Sequence, residues 1–269
     1  MISSRILPAA RSSGYPLCDM MAGTSMQVDR MEDCPTDSEI SPATLNSLQV
    51  TGRASTHVHD FADPPCVLHA RAGGALRAMR TEARLAGVDL YVVSAFRDFN
   101  RQLAIWSAKF NGRRPLLDRA GAEINRAELY ESALIDAILI WSALPGASRH
   151  HWGTEIDVLD AAALQPGARA QLVPEEFGIG GRFERLNGWL DSNMGRFGFF
   201  RPYATFQGGV QPEPWHLSYA EVATPALQVL SVDVLREAIE GTDMPGQQTV
   251  LARLPELYER YVLAIDSPD

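Results

Sequence analysis

The amino-acid sequence predicts an α+β fold in which a small antiparallel sheet is flanked by helices. Three observations carry that expectation. Segments with helical apolar spacing are mixed with short runs of β-branched and aromatic residues; the connections between them are irregular and rich in glycine; and no internal repeat is present.

Residues 1–60 are rich in Ser, Thr, Pro, Gly and Asp, with little period in their apolar positions, and read as a flexible leader, largely disordered. A single domain then spans 61–269. Ala70 to Ala86 carries a helical pattern that Gly87 ends, and VDLYVVSAF reads as a short strand. RDFNRQLAIWSAKF follows as a helix with Leu103, Trp106 and Phe110 on its buried side, and NGRRPLLDRAGAEINR is a loop whose length suits the rim of a site. AELYESALIDAILIWSAL is the strongest helical pattern in the chain, stopped by Pro145 and Gly146. TEIDVLDA has strand character, with Ile156 and Val158 on one face and Glu155, Asp157 and Leu159 on the other. A short helix over 182–193 leads to an aromatic segment turning at Pro202, and GGVQPEPWHLSYA gives a turn into a second strand. From about residue 225 a tail of helices follows, Val232 to Ile239 and Gln248 to Val262, the second offering Leu251, Leu254, Leu257 and Tyr258 to the core.

At 269 residues and 46% hydrophobic content the chain can bury a core without disulfide staples. A net charge of -9 argues against a general nucleic-acid or anionic-membrane binder. Cys18, Cys34 and Cys66 show no paired metal spacing, which favours a reducing compartment. The first residues lack the apolar run of a signal peptide, and no segment has the length of a membrane span. The expectation is a monomer in the cytoplasm, with periplasmic location or export by another route as the alternative.

The chemistry concentrates in SRHHWGTEIDVLD, residues 148–160. A catalytic zinc takes three ligands from His, Asp, Glu or Cys and keeps a position open. His150 and Asp157 are close enough to share one metal if the chain turns between them at Gly153. A histidine at such a junction is more often a hydrogen-bonded structural residue, but an aspartate between Ile156 and Val158 needs a partner, because an unpaired buried carboxylate is costly. His216 in EPWHLSY offers the third ligand, and Glu213, three residues earlier, offers a general base for the attacking water. Arg97, following the strand, can clamp a substrate carboxylate or steady an oxyanion; its bland role is a salt bridge to the core. Gln102 and Ser148 can bond substrate or support these groups, while Arg149 reads as a solvated neighbour.

These residues resemble the zinc D-alanyl-D-alanine carboxypeptidases and related peptidoglycan peptidases of the VanY-like family. Ser148, His150, Gly153 and Asp157 match that family's Ser-x-His-x-x-Gly-x-Ala-x-Asp motif in order, and Glu213 to His216 match its Glu-Pro-Trp-His. FGFFRPY and SAFRDFNRQ also look like family segments, so that the likeness covers roughly 67–222. The resemblance implies a sheet carrying one zinc ion, held by His150, Asp157 and His216, with Glu213 as catalytic base. It also implies Arg97 as a substrate-binding or transition-state residue and Gln102 in the substrate pocket. His151 falls at a variable position and stays off the metal. Glu155 departs from the motif, standing where the family has alanine. The implied activity is hydrolysis of a peptide bond in peptidoglycan or its fragments, most simply as a carboxypeptidase. An endopeptidase acting as a lysin, or a non-catalytic zinc-binding domain, are the alternatives.

Overall fold

Four short strands form the sheet that organises the molecule, in the order β3-β4-β6-β5, every neighbouring pair antiparallel. They are β3 (Leu90–Ser94), β4 (Glu155–Asp160), β5 (Phe199–Phe200) and β6 (His216–Tyr219). A separate hairpin pairs β1 (Val58–Ala62) with β2 (Pro65–His69). The computed structural model describes residues 44–165 and 167–268; most of the expected leader, residues 1–43, lies outside the described residues. The part of it that is described carries α1 (Ser47–Val50) and opens β1. Pairing with β2 satisfies the backbone where β1 begins, at Val58 to Asp60, and Leu45 and Val50 are buried.

The helices are α2 (Ala70–Leu85), α3 (Phe99–Phe110), α4 (Glu131–Leu139), α5 (Pro174–Phe177), α6 (Glu184–Asn193), α7 (Ala220–Val229), α8 (Val232–Ile239) and α9 (Gln247–Tyr258). Together with the antiparallel sheet they make the expected α+β fold. Two apolar clusters hold it. One gathers Leu68, Leu76 and Met79 with Ile156, Val158 and Leu217 from the sheet and Phe177, Phe183 and Leu190 from the α5–α6 region. The other packs Trp106 of α3 and Ile135 and Ile138 of α4 against Val222, Leu235, Val250, Leu254 and Leu257 of the last three helices. Among the described residues no helix is long and apolar enough to cross a membrane.

Two expectations need correction. The helix expected over 127–144 is helical only from Glu131 to Leu139. The Ile140 carbonyl accepts from Gln211 N, and the Trp141 indole donates to the Asp118 carbonyl, so tertiary bonds draw residues 140–143 out of the helix. The C-terminal helices start at Ala220 rather than near 225, because Pro225 sits inside α7 instead of before it. β4 is buried on both faces, all six residues of it, so Asp157 is the interior carboxylate in need of a partner that its place between Ile156 and Val158 implied, and Glu155 is interior with it.

Candidate metal centre

The site begins with strand register. Asp157 of β4 pairs directly with His216 of β6, and Ser94 of β3 lies opposite Asp157 on the other side. Three side chains distant in sequence therefore share one row across the sheet. Two positions along β4, Glu155 faces Ser218.

His150 arrives on a 3-10 turn, Arg149–Trp152, that Gly153 closes at φ 67°. A Cβ on Gly153 would stand 2.4 Å from Val58 Cγ1 and 2.9 Å from the His69 nitrogen, so this position requires glycine for space as well as conformation. The turn is anchored from outside. The Trp152 indole donates to the Val50 carbonyl at 3.0 Å, Arg97 N to the His150 carbonyl at 3.1 Å, and His57 Nε2 to the His151 carbonyl at 2.9 Å. His151 is part of this bracing. Its Nδ1 donates to the Arg97 carbonyl at 2.6 Å and its Nε2 accepts from Gly146 N at 3.2 Å. Burial pushes its pKa down to about 3, so it stays neutral.

The three expected ligands converge. His150 Nδ1 donates to the Ala95 carbonyl at 2.7 Å, which leaves the Nε2 lone pair 3.4 Å from Asp157 Oδ2. His216 Nδ1 lies 3.0 Å from Asp157 Oδ1. One donor atom from each of His150, Asp157 and His216 falls within 4.8 Å of the others, and all three residues are buried. Burial works against charge on Asp157, yet His150 and His216 hold its pKa well below the carboxylate range. Burial also opposes charge on His216, but Asp157 and Glu155 raise its pKa to about 10. The pocket is built for a positive charge. Two imidazole nitrogens and one carboxylate oxygen are a zinc donor set of the type that leaves a position open. All three line one cavity of about 290 Å³, so an open position there is reachable by substrate.

Glu213 lines the same cavity, its Oε2 3.6 Å from His216 Nδ1. A tight turn places it: His216 N donates to the Glu213 carbonyl at 3.0 Å, with Pro214 between them. Burial raises the Glu213 pKa to about 7; His216 opposes the rise, Asp157 adds to it, and Arg97 and Lys109 pull it back. Arg97 donates from NH2 to Asp157 Oδ2 at 3.0 Å and to His150 Nε2 at 3.1 Å, and from Nε to Ser94 Oγ at 3.1 Å. Ser148 lines the cavity. Gln102 does not: it is fully buried behind Arg97, its amide donating to the Ala143 carbonyl at 2.8 Å and its oxygen 3.5 Å from Arg97 NH1. Its place is to support Arg97. Arg149 is also corrected, from a solvated neighbour to a residue 4% exposed whose NH2 lies 3.3 Å from Glu155 Oε1.

The sequence pattern did not disclose several wall residues. Trp141 stacks on Trp215 with centroids 6.4 Å apart, the Tyr203 ring lies 5.1 Å from that of His216, and residues 117, 119–121 and 171–175 also line the cavity. Tyr203 closes FGFFRPY, and the 117–121 lining falls in the loop expected at a rim, so both carried a signal.

Residues 66–222 match the family described as VanY, D-alanyl-D-alanine carboxypeptidase. The chain belongs to the VanY family. It is similar to an uncharacterized protein of Haemophilus influenzae, 36% identical over 122 residues, a stretch making up 45% of this chain and 93% of that protein. Over 144 residues, 52% of this chain, it is 31% identical to the D-alanyl-D-alanine carboxypeptidase of Enterococcus faecalis, of which 43% is covered. Among solved structures, VanYB in complex with D-alanine-D-alanine is 25% identical with a TM-score of 0.44, covering 69% of this chain and 89% of that one. The LdcB LD-carboxypeptidase is 20% identical with a TM-score of 0.42, covering 72% and 69%. As a VanY-family protein with a His-Asp-His centre, the chain is a zinc metallopeptidase that hydrolyses a peptide bond in peptidoglycan-type substrates.

Proposed function

We propose that this VanY-family protein is a D-alanyl-D-alanine carboxypeptidase, removing the terminal residue of a peptidoglycan stem peptide. The observation that carries the reading is the position of Glu213. It is a carboxyl of nearly neutral pKa in the same cavity as the His150, Asp157 and His216 donors. Zinc held by those three side chains supplies Lewis-acid polarisation of the scissile carbonyl and makes a water easier to deprotonate. Glu213 takes the proton from that attacking water and returns it to the leaving amine, a shuttle its place beside His216 Nδ1 allows. Arg97, tied to Asp157 and Ser94, presents a guanidinium to the negative charge that develops on the carbonyl oxygen and orients the peptide. Gln102 holds Arg97 from behind, and Ser148 offers a polar contact on the cavity wall.

The size of the cavity supports a short peptide end. At about 290 Å³ it stands at the lower limit of the roughly 300–1,000 Å³ usual for ligand pockets. Incubation of the zinc-loaded protein with defined muropeptides, followed by product masses, tests the reading. Loss of a single terminal alanine from a stem ending in D-alanyl-D-alanine is expected. Cleavage within cross-linked peptides while the free ends stay intact would replace the carboxypeptidase with an endopeptidase. Full zinc occupancy with no turnover would leave a binding domain.

A further inference from the structure

Glu155 stands where the family motif has alanine, and it is completely buried. An ionised carboxyl is costly to bury unless charge and hydrogen bonds compensate it. Here they do. Thr154 Oγ1 donates to Oε1 at 3.0 Å and Ser218 Oγ to the same oxygen at 2.7 Å, with Arg149 NH2 at 3.3 Å. The other oxygen, Oε2, accepts from His216 Nε2 at 2.8 Å. Arg149 NH2 also donates to Ser218 Oγ at 2.6 Å, and its guanidinium lies 4.5 Å from the Trp152 ring centroid. A continuous chain thus runs from Arg149 through Ser218 and Glu155 to His216, and its last member is a metal ligand.

We propose that Glu155 is a positioning residue for His216: it holds the ring proton on Nε2 and fixes the ring's rotation, so that the Nδ1 lone pair faces the metal. The assignment rests on the zinc reading of His150, Asp157 and His216. A metal-binding imidazole needs its second nitrogen bonded to an acceptor, which sets the tautomer and strengthens the donor. His150 has the Ala95 carbonyl for that purpose. For His216 the acceptor at Nε2 is the Glu155 carboxylate. Only a carboxylate suits the place, because donors meet both of its oxygens and an amide would turn an NH2 group toward one set of them. The charge of Arg149 offsets that of Glu155, so the pair orients the ligand without adding net charge to the centre.

Zinc affinity by chelator competition, with unfolding curves of the zinc-free proteins, reads the effect in wild type, Glu155→Gln and Glu155→Ala. The glutamine variant is expected to unfold cooperatively and to bind zinc about 10–100-fold more weakly. The alanine variant, which leaves Arg149 uncompensated beside His216, should fall at least as far. Unchanged affinity in a folded glutamine variant overturns the proposal. Should both variants fail to fold, long-range 1H–15N NMR of the zinc-loaded wild type decides. A proton on His216 Nε2 with Nδ1 bound to metal supports the assignment, and coordination through Nε2 overturns it. A wild type that holds no zinc removes the metal reading and this proposal with it, whereas zinc-loaded wild type with unaltered variants removes only Glu155.

Discussion

Replacing Gly153 with alanine tests how the chain is turned between two of its ligands. Gly153 closes the turn that carries His150 and opens β4, on which Asp157 lies. Two penalties follow from its geometry. At φ 67° an L-residue costs about 1–2 kcal/mol. The added methyl also meets Val58 Cγ1 and the His69 nitrogen. The valine can rotate, but the His69 amide is fixed by its 2.8 Å bond to the Gly153 carbonyl, so overpacking of about 1–3 kcal/mol is added. Urea unfolding followed by tryptophan fluorescence should therefore show a loss of about 2–5 kcal/mol. Gly241→Ala is the internal control: Gly241 has φ 74°, a methyl added there meets nothing within 4 Å, and the variant should lose only the conformational part. Zinc affinity should fall in the Gly153 variant and not in the control. Equal losses in the two variants would refute the close contact with the hairpin, and unchanged stability at Gly153 would refute the turn itself.

Other outcomes follow from the same geometry. Glu213→Gln should keep its fold and its zinc while kcat falls by about 10²–10⁴, as for loss of a general acid–base group; steady-state kinetics on a stem pentapeptide reads this. Trp152→Phe should lose about 1–3 kcal/mol in thermal or urea unfolding, because it leaves the buried Val50 carbonyl without its indole donor. Burial, with His57, Arg71 and His59 adding and Glu221 opposing, lowers the His69 pKa to about 4. The unfolded chain binds the proton first, so this contribution is complete above about pH 6.5 and is lost as pH falls toward 4, on the order of 3 kcal/mol in all. The stability of His69→Gln relative to wild type should accordingly improve over that window, and a pH-independent difference between the two would contradict it.

The elements that read clearly in the sequence are those whose signal is local. Val232–Ile239 is bounded by Ser231, which caps its first turn, and its expected limits are those observed. The ligand-bearing segments were equally legible, because Gly153 and Pro214 mark turns whose flanking residues are the chemistry. What the sequence hides is long-range. The register that sets Asp157 beside His216 joins residues 59 positions apart, and no local pattern reports it. Arg149 looks like a solvated charge until it is seen to compensate Glu155 in the interior. The end of α4 is set by Gln211, far along the chain, and the start of α7 is masked by Pro225. The β1–β2 hairpin hides because its first strand, VHDFA, lacks strict alternation and is only half-buried at two positions.

The central claim is that His150, Asp157 and His216 hold one zinc ion beside Glu213. Anomalous diffraction at the zinc edge from crystals of the zinc-loaded protein tests it most directly. One ion per chain is expected, bound by His150 Nε2, an Asp157 oxygen and His216 Nδ1, with Glu213 near but not ligating. An ion bound elsewhere, or none at full zinc supply, would contradict the account.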